Sequence, residues 1–282
     1  MGPLGDVSGR LSGKIAVVSG AGQTPGETIG NGRAIARLFA MAGATIVCVD
    51  RQLDRATAVA DEICAAETGE AGTGARSGTA IAVAADVTDS DDVDRVVATT
   101  LDEFGGIDVV INNVGIGGGG DGRLDRLDEA AFDRIWNVNL KTAWLLTKAA
   151  WPAMVERGGG SVVNISSLAS IAGASQMAYE TSKAAMNRMT QTGALNGARH
   201  GIRCNAIAPG LMDTPMAIEG IAAATGRPTD EVRAQRAAAV PMRHMGTAWD
   251  TAHAALYLAS DEARFVSGVV LRVDGAQGAR VG

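Results

Sequence analysis

Short runs of aliphatic and β-branched residues alternate with helical stretches along almost the whole chain, and this alternation limits the fold more than any other feature. Lys14-Ile15-Ala16-Val17-Val18-Ser19 reads as a first strand and 31–42 as the helix after it. Thr45-Ile46-Val47-Cys48-Val49-Asp50 is a second strand, with a helix from about Asp54 to Ala66. Further strands are expected at 79–84, 108–112, 161–166, 202–207 and 269–273, separated by helices near 90–104, 133–156, 179–199 and 247–259. Continuously apolar strands are buried on both faces, and intervening helices supply the crossovers that parallel strands need. The expectation is an α/β fold, a doubly wound parallel sheet of about seven strands with helices on both faces. Neither a linker nor a composition break divides the 282 residues, so 1–282 is expected to form a single domain.

Three stretches depart from the rhythm. Residues 67–78 (ETGEAGTGARSG) form a Gly/Ala/Thr-rich surface loop, and 115–122 (GIGGGGDG) follow the fourth strand with too many glycines to hold one conformation without packing partners. Residues 211–241, Ala-rich and bounded by prolines, sit between the sixth strand and the last long helix, where a segment of that size is often an active-site lid.

Composition narrows the partners. A net charge of −6 without a Lys/Arg run argues against nucleic acid. No apolar stretch approaches the ~20 residues of a membrane span. The start, Met1 to Asp6, lacks the basic and apolar regions of a signal peptide, so the expected location is cytoplasmic. The three cysteines (Cys48, Cys64, Cys204) have neither metal nor disulfide spacing; no metal is expected, and Cys48 and Cys204 read as buried thiols.

Immediately after the first strand comes a glycine-rich turn, Gly20-Ala21-Gly22-Gln23-Thr24-Pro25-Gly26-Glu27-Thr28-Ile29-Gly30-Asn31-Gly32, and then a helix. Such a turn lets the backbone approach a pyrophosphate at a helix N-terminus, whose amides and dipole favour an anion. Asp50 ends the second strand eighteen residues after Gly32, where a carboxylate would accept hydrogen bonds from both ribose hydroxyls of NAD and repel the 2′-phosphate of NADP. NAD is therefore expected over NADP, although Arg51 keeps some tolerance for NADP open.

Tyr179 and Lys183, four residues apart, fall on one face of a helix. An ammonium beside a phenol lowers a pKa that otherwise sits near ~10. A serine from the strand end upstream, in Asn164-Ile165-Ser166-Ser167, could complete a site that moves a proton on and off an alcohol or ketone oxygen.

Gly20 … Gly30-x-Gly32, Asp86-Val87, Asn112-Asn113-Val114-Gly115, Asn139, Ser167, Tyr179-x-x-x-Lys183 and Pro209-Gly210 occur in the order found in the classical short-chain dehydrogenase/reductase family, and the resemblance runs from about residue 11 to 276. It implies a Rossmann-like domain with a cofactor half at about 11–150 and a catalytic and substrate half at about 151–276. It also implies roles. Asp86 and Val87 resemble the pair that contacts adenine; Asn113, Val114 and Gly115 support the sheet and line the cofactor. After Pro209-Gly210, the backbone of Met212 and the hydroxyl of Thr214 match the nicotinamide-amide contacts. Tyr179 is the implied acid/base, Ser167 positions the substrate oxygen, and Lys183 lowers the tyrosine pKa and bonds the nicotinamide ribose. Asn139 holds a water that links Lys183 to solvent; Asn137 competes for that role.

The chain also departs from the family pattern. Gly20 to Gly30 spans ten positions instead of four, so six residues are inserted, and Asn31 replaces an apolar residue. The insert could fold beside the pyrophosphate, with Gln23 or Thr24 adding polar contacts, or bulge into solvent. Ser167 lies twelve residues before Tyr179 where the family has thirteen; Ser166 has the usual count, but Asn-Ile-Ser-Ser aligns Ser167 with the catalytic position.

These features point to an NAD-dependent oxidoreductase that transfers a hydride between a secondary alcohol or its ketone and nicotinamide. The alternatives are an NADPH-dependent carbonyl reductase and a non-catalytic nucleotide-binding regulator. Leu168, Gln176, Met177, Leu211, Met216, Ile218 and Ile221 are expected pocket walls, with Arg227 and Arg233 as the cations a clamp could use. The resemblance further implies a homotetramer built through the helices near 133–156 and 179–199.

Overall fold

The computed structural model describes residues 6–67, 79–173 and 176–279, so the loop expected over 67–78 lies outside the described residues from 68 onward. Seven parallel strands form one sheet in the order β3-β2-β1-β4-β5-β6-β9. They are β1 (Ile15–Ser19), β2 (Thr45–Asp50), β3 (Ala80–Ala84), β4 (Val109–Asn112), β5 (Gly160–Ile165), β6 (Ile202–Pro209) and β9 (Val270–Val273), the seven expected runs. A separate two-residue pair, β7 (Met212–Asp213) with β8 (Gly246–Thr247), brackets most of the segment expected as a lid.

The strands of the sheet's centre are buried on both faces, which is why they read as continuous apolar runs. On one face α1 (Asn31–Met41), α2 (Leu53–Glu67) and α9 (Ala248–Ala259) bury Leu38, Phe39, Ile63 and Leu256. On the other, α3 (Ser90–Phe104), α5 (Thr142–Glu156) and α6 (Met177–Gly197) bury Val96, Leu146, Met154 and Ala194. Cys48 and Cys204 are buried in β2 and β6, and burial pushes both thiols up to about 12.

The single helix expected over 133–156 is three segments. It begins as α4 (Glu129–Trp136), passes through a π-helical turn at Asn137–Lys141, and continues as α5. The expected lid over 211–241 holds two helices, α7 (Pro215–Thr225) and α8 (Thr229–Ala239). Pro215 starts α7 at a position that needs no amide donor, and Gly226 ends it at φ +68°.

Strand order reverses between β1 and β4, and the crevice outside their C-terminal ends is where open α/β sheets bind ligands. The glycine turn leaves β1 there, the Asn113–Gly115 segment leaves β4, and Ser166 and Ser167 follow β5.

Candidate active site

Gly20 turns the chain at φ +66°, and a side chain there would press on Val114 Cγ2 at 3.1 Å. A Cβ on Gly32 would strike the Gly20 carbonyl, so α1 can approach the turn only with glycine at that position. Asn113 Nδ2 donates to the same Gly20 carbonyl at 3.0 Å, tying the ends of β1 and β4 together. Gly30 caps α1 without a side-chain bond, and no acid occupies the first turn. Asn31 Oδ1 is buried without a partner. Uncapped amides at a helix N-terminus fit an anionic pyrophosphate.

Asp50 holds its carboxylate beside this turn: Oδ2 accepts from Gly22 N at 3.2 Å and Oδ1 from Gln52 N at 3.0 Å. Asp86 lies at the exposed end of β3, and two bonds from Thr88, first its amide and then its hydroxyl, keep its carboxyl below the usual range. Val87 packs its side chain into the core. Gln23 does not face outward as a free amide. Its Nε2 donates to Thr24 O (2.7 Å) and Thr28 O (3.0 Å) while Oε1 accepts from Gly30 N at 3.0 Å, so it staples the inserted segment to itself.

α6 starts at Met177, two residues before the expected start at 179, and carries Tyr179 in its first turn. Asp121, from the glycine-rich segment after β4, reaches that helix end: Oδ1 accepts from Ala178 N and Oδ2 from Tyr179 N, both at 3.0 Å. An anion capping the turn that carries Tyr179 favours the helix N-terminus and fixes its placement. Tyr179 is half-buried, and desolvation pushes its pKa above the ordinary value; a hydrogen bond with the Ser167 hydroxyl pulls the other way. Of the two serines, Ser167 faces the phenol. Ser166 Oγ turns instead to Lys183 O (3.3 Å) and Ser170 Oγ (3.5 Å).

Lys183 is buried, its Nζ 6.0 Å from the Tyr179 ring centroid and donating to Ile165 O at 2.9 Å. Burial pulls it down to about 8. For both groups desolvation is the largest cause of the shift, and it favours their neutral forms.

Asn139 is fully buried in the π-helical turn. Its Oδ1 accepts from Ile116 N at 2.7 Å, and its Nδ2 donates to Ile116 O (2.9 Å) and Ser182 Oγ (3.0 Å). Its side chain therefore pins the strand-end segment. Gly115 is wedged here too, since a Cβ would lie 3.0 Å from Lys183 Nζ. Asn137 lines the outer groove beside Trp136 and Trp144. Neither Asp121 nor Ser182 carried a signal that local spacing could show, because their partners lie in other elements.

Beyond β6, Pro209 ends the strand and Gly210 N donates to Val273 O at 2.9 Å. A Cβ on Gly210 would meet Asp274 Cα at 2.8 Å. Met212 and Thr214 are buried, and the Thr214 hydroxyl makes no bond to the helix it precedes. Ile218 is fully buried in the lid, so it supports the pocket rather than lining it, whereas Met216 is 57% exposed. Arg227 pairs with Glu231, and Arg233 with Glu27, Asp213 and Asp230, so both are held by carboxylates. No cluster of three or more metal-type ligands occurs among the described residues, and no helix is long and apolar enough to cross a membrane.

A glycine turn at the sheet's switch point and a Ser–Tyr–Lys group one strand away define an oxidoreductase of the nicotinamide-dependent kind. Residues 27–276 match the family model described as enoyl-(acyl carrier protein) reductase. The chain is 35% identical over 265 residues to 2-(R)-hydroxypropyl-CoM dehydrogenase of Xanthobacter autotrophicus, covering 93% of this chain and 98% of that protein. It is 34% identical to the 3-oxoacyl-(acyl-carrier-protein) reductase FabG of Thermotoga maritima, with 94% and 98% covered. A solved short-chain dehydrogenase/reductase structure from Burkholderia xenovorans superposes with a TM-score of 0.87 at 40% identity, over 98% of this chain and 100% of that one. The chain belongs to the short-chain dehydrogenase/reductase family. That family works with NAD(H) or NADP(H). The matched region begins at Glu27, inside the inserted segment.

Proposed function

We propose that this enzyme oxidises a neutral secondary alcohol to its ketone, or the reverse, with NAD as cofactor. The observation that carries the proposal is the Tyr179 phenol, half-buried, hydrogen-bonded to Ser167 and beside the buried Lys183. When bound, nicotinamide supplies or accepts the hydride. Tyr179 takes the hydroxyl proton in oxidation and returns it in reduction. Ser167 donates to the substrate oxygen and holds it near the phenol. The Lys183 Nζ stays fixed by Ile165 O, close enough to stabilise the phenolate as it forms. Asn139 and Asp121 keep Gly115–Ile116 and the first turn of α6 in place around this group.

The Asp50 carboxylate beside the turn supports NAD over NADP, since it would repel a 2′-phosphate. Pairing of Arg227 and Arg233 with carboxylates supports a neutral substrate over an anionic one. Secondary-alcohol or ketone chemistry is consistent with the relatives named for a hydroxypropyl substrate and for a 3-oxoacyl one. Trp136, Leu140, Trp144 and Met189 line an apolar groove of about 450 Å³ on α4–α6, and Trp144 is 48% exposed; this supports assembly of copies into a homotetramer through that face. Measuring NADH and NADPH production over a panel of secondary alcohols tests the proposal. NADH formation with Asp50→Ala shifting use toward NADP is expected. An unchanged cofactor preference in that variant would remove Asp50 from the account, and no turnover of any alcohol or ketone would overturn the reaction itself.

A further inference from the structure

We propose that the six residues inserted between Gly20 and Gly30 form a latch that holds the lid over the cofactor turn, with Arg233 as its positioning residue. The inserted segment is stiff because the Gln23 amide bonds three backbone groups along it. Its tip, Pro25-Gly26-Glu27, meets the lid at three points. Glu27 N donates to Glu219 Oε1 of α7 at 3.0 Å. Glu27 Oε2 pairs with Arg233 Nη1 of α8 at 2.8 Å. Gly26 lies so close to α7 that a Cβ would fall 2.7 Å from Pro215 Cβ.

Arg233 carries the contact onward. Its Nε also faces Asp213 Oδ2 at 3.3 Å, and Asp213 sits in β7 between Met212 and Thr214. One guanidinium, 20% exposed, thereby links the inserted segment, the lid and the strand that carries the proposed nicotinamide contacts. The seam is not fully satisfied: Glu219 Oε2 and Arg233 Nη2 are buried without partners. A permanent core would pair such atoms, whereas a contact that opens and re-forms tolerates them. A turn with the family's usual four-position spacing would lack the six residues that reach α7 and α8. The latch rests on the reading of Gly20–Gly32 as the cofactor turn, and couples cofactor release to lid opening, a step that often sets turnover.

The test is NADH dissociation by stopped-flow fluorescence, together with limited trypsin cleavage at the lid arginines in the free protein. Glu27 is 72% exposed, so Glu27→Ala leaves the fold intact and should speed NADH dissociation about two- to fivefold, the range for an exposed ion pair. Gly26→Val and deletion of residues 24–29 should speed it further and raise trypsin cleavage near Arg227. Arg233→Ala should act more strongly than Glu27→Ala, and the double variant should be no faster than Arg233→Ala alone. Unchanged dissociation and unchanged lid cleavage in Glu27→Ala and Gly26→Val would overturn the latch. If the wild-type protein binds no NADH, the cofactor reading fails, and lid cleavage in the free protein still decides the latch.

Discussion

The centre around Tyr179 and the seam between the inserted segment and the lid are built in opposite ways. At the centre, Asn139 and Ser182 have no exposure, Lys183 has 3%, and each contact is a short hydrogen bond to backbone or to another buried group. At the seam, Glu27 is 72% exposed, and partly solvated charges hold elements far apart in sequence. A group that must hold a substrate oxygen within hydrogen-bond reach needs a scaffold without slack. A segment that must let cofactor in and out needs contacts weak enough to break. Mutational effects should therefore fall steeply from the first region to the second.

The largest effect is expected for Lys183→Met. Turnover should drop by roughly 10²–10⁴, the usual weight of one acid/base partner. Stability should change little, because methionine fills the same volume and burial already disfavours the charged amine. Steady-state kinetics with a thermal melt separates the two. Next comes Asn139→Leu, which strips partners from the Ile116 N–H and C=O. Leaving such buried groups unpaired costs about 1–3 kcal/mol each, so the melting temperature should fall by several degrees and activity with it. Asp121→Ala removes a cap worth about 1 kcal/mol, and should lower kcat more than KM because the first turn of α6 carries Tyr179. Equal losses in kcat and stability without that split would make Asp121 merely structural. Glu27→Ala should leave stability within about 0.5 kcal/mol, as exposed pairs do, and act only on cofactor release.

The pH dependence sharpens the same contrast. Burial raises the Tyr179 pKa, so the phenol is protonated at neutral pH in the free enzyme. kcat/KM for alcohol oxidation, which needs the phenolate, should climb as pH rises and still be rising at about pH 9, since the ordinary phenol value is already near ~10. Ketone reduction, which needs the protonated phenol, should hold through neutral pH and fall only in the alkaline range. A plateau in oxidation below pH 7 would contradict the direction of the shift.

Much of this was legible in the chain. The strands appear where continuous Val, Ile and Ala runs predict them, because burial on both faces leaves no room for polar alternation. Ser167, Tyr179 and Lys183 converge as their order implies, and the geometry prefers Ser167 to Ser166 for a reason spacing alone could not supply: Ser166 is turned toward the backbone of α6. What stayed hidden depended on distant partners. The π-helical turn at Asn137–Lys141 breaks an apparently continuous helix because Asn139 must face Ile116, twenty-three residues away. Asp121 reads as one acid in a glycine-rich loop until the fold brings it to Ala178 and Tyr179. The inserted segment looks free in sequence, and only the folded lid reveals that Glu27 meets Glu219 and Arg233. The downward shift of the Lys183 amine is likewise a property of burial, which no spacing of two residues contains.

The central claim is that Tyr179 performs the proton transfer while the cofactor turn works independently of it. Tyr179→Phe removes one oxygen from a half-buried ring and tests this directly, measured as NADH binding by fluorescence alongside turnover of a secondary alcohol that the wild-type enzyme oxidises. The account predicts NADH affinity within about twofold of wild type, since a surface or pocket change remote from the turn adds little, with turnover reduced by at least about 10³. Turnover retained within tenfold would contradict it.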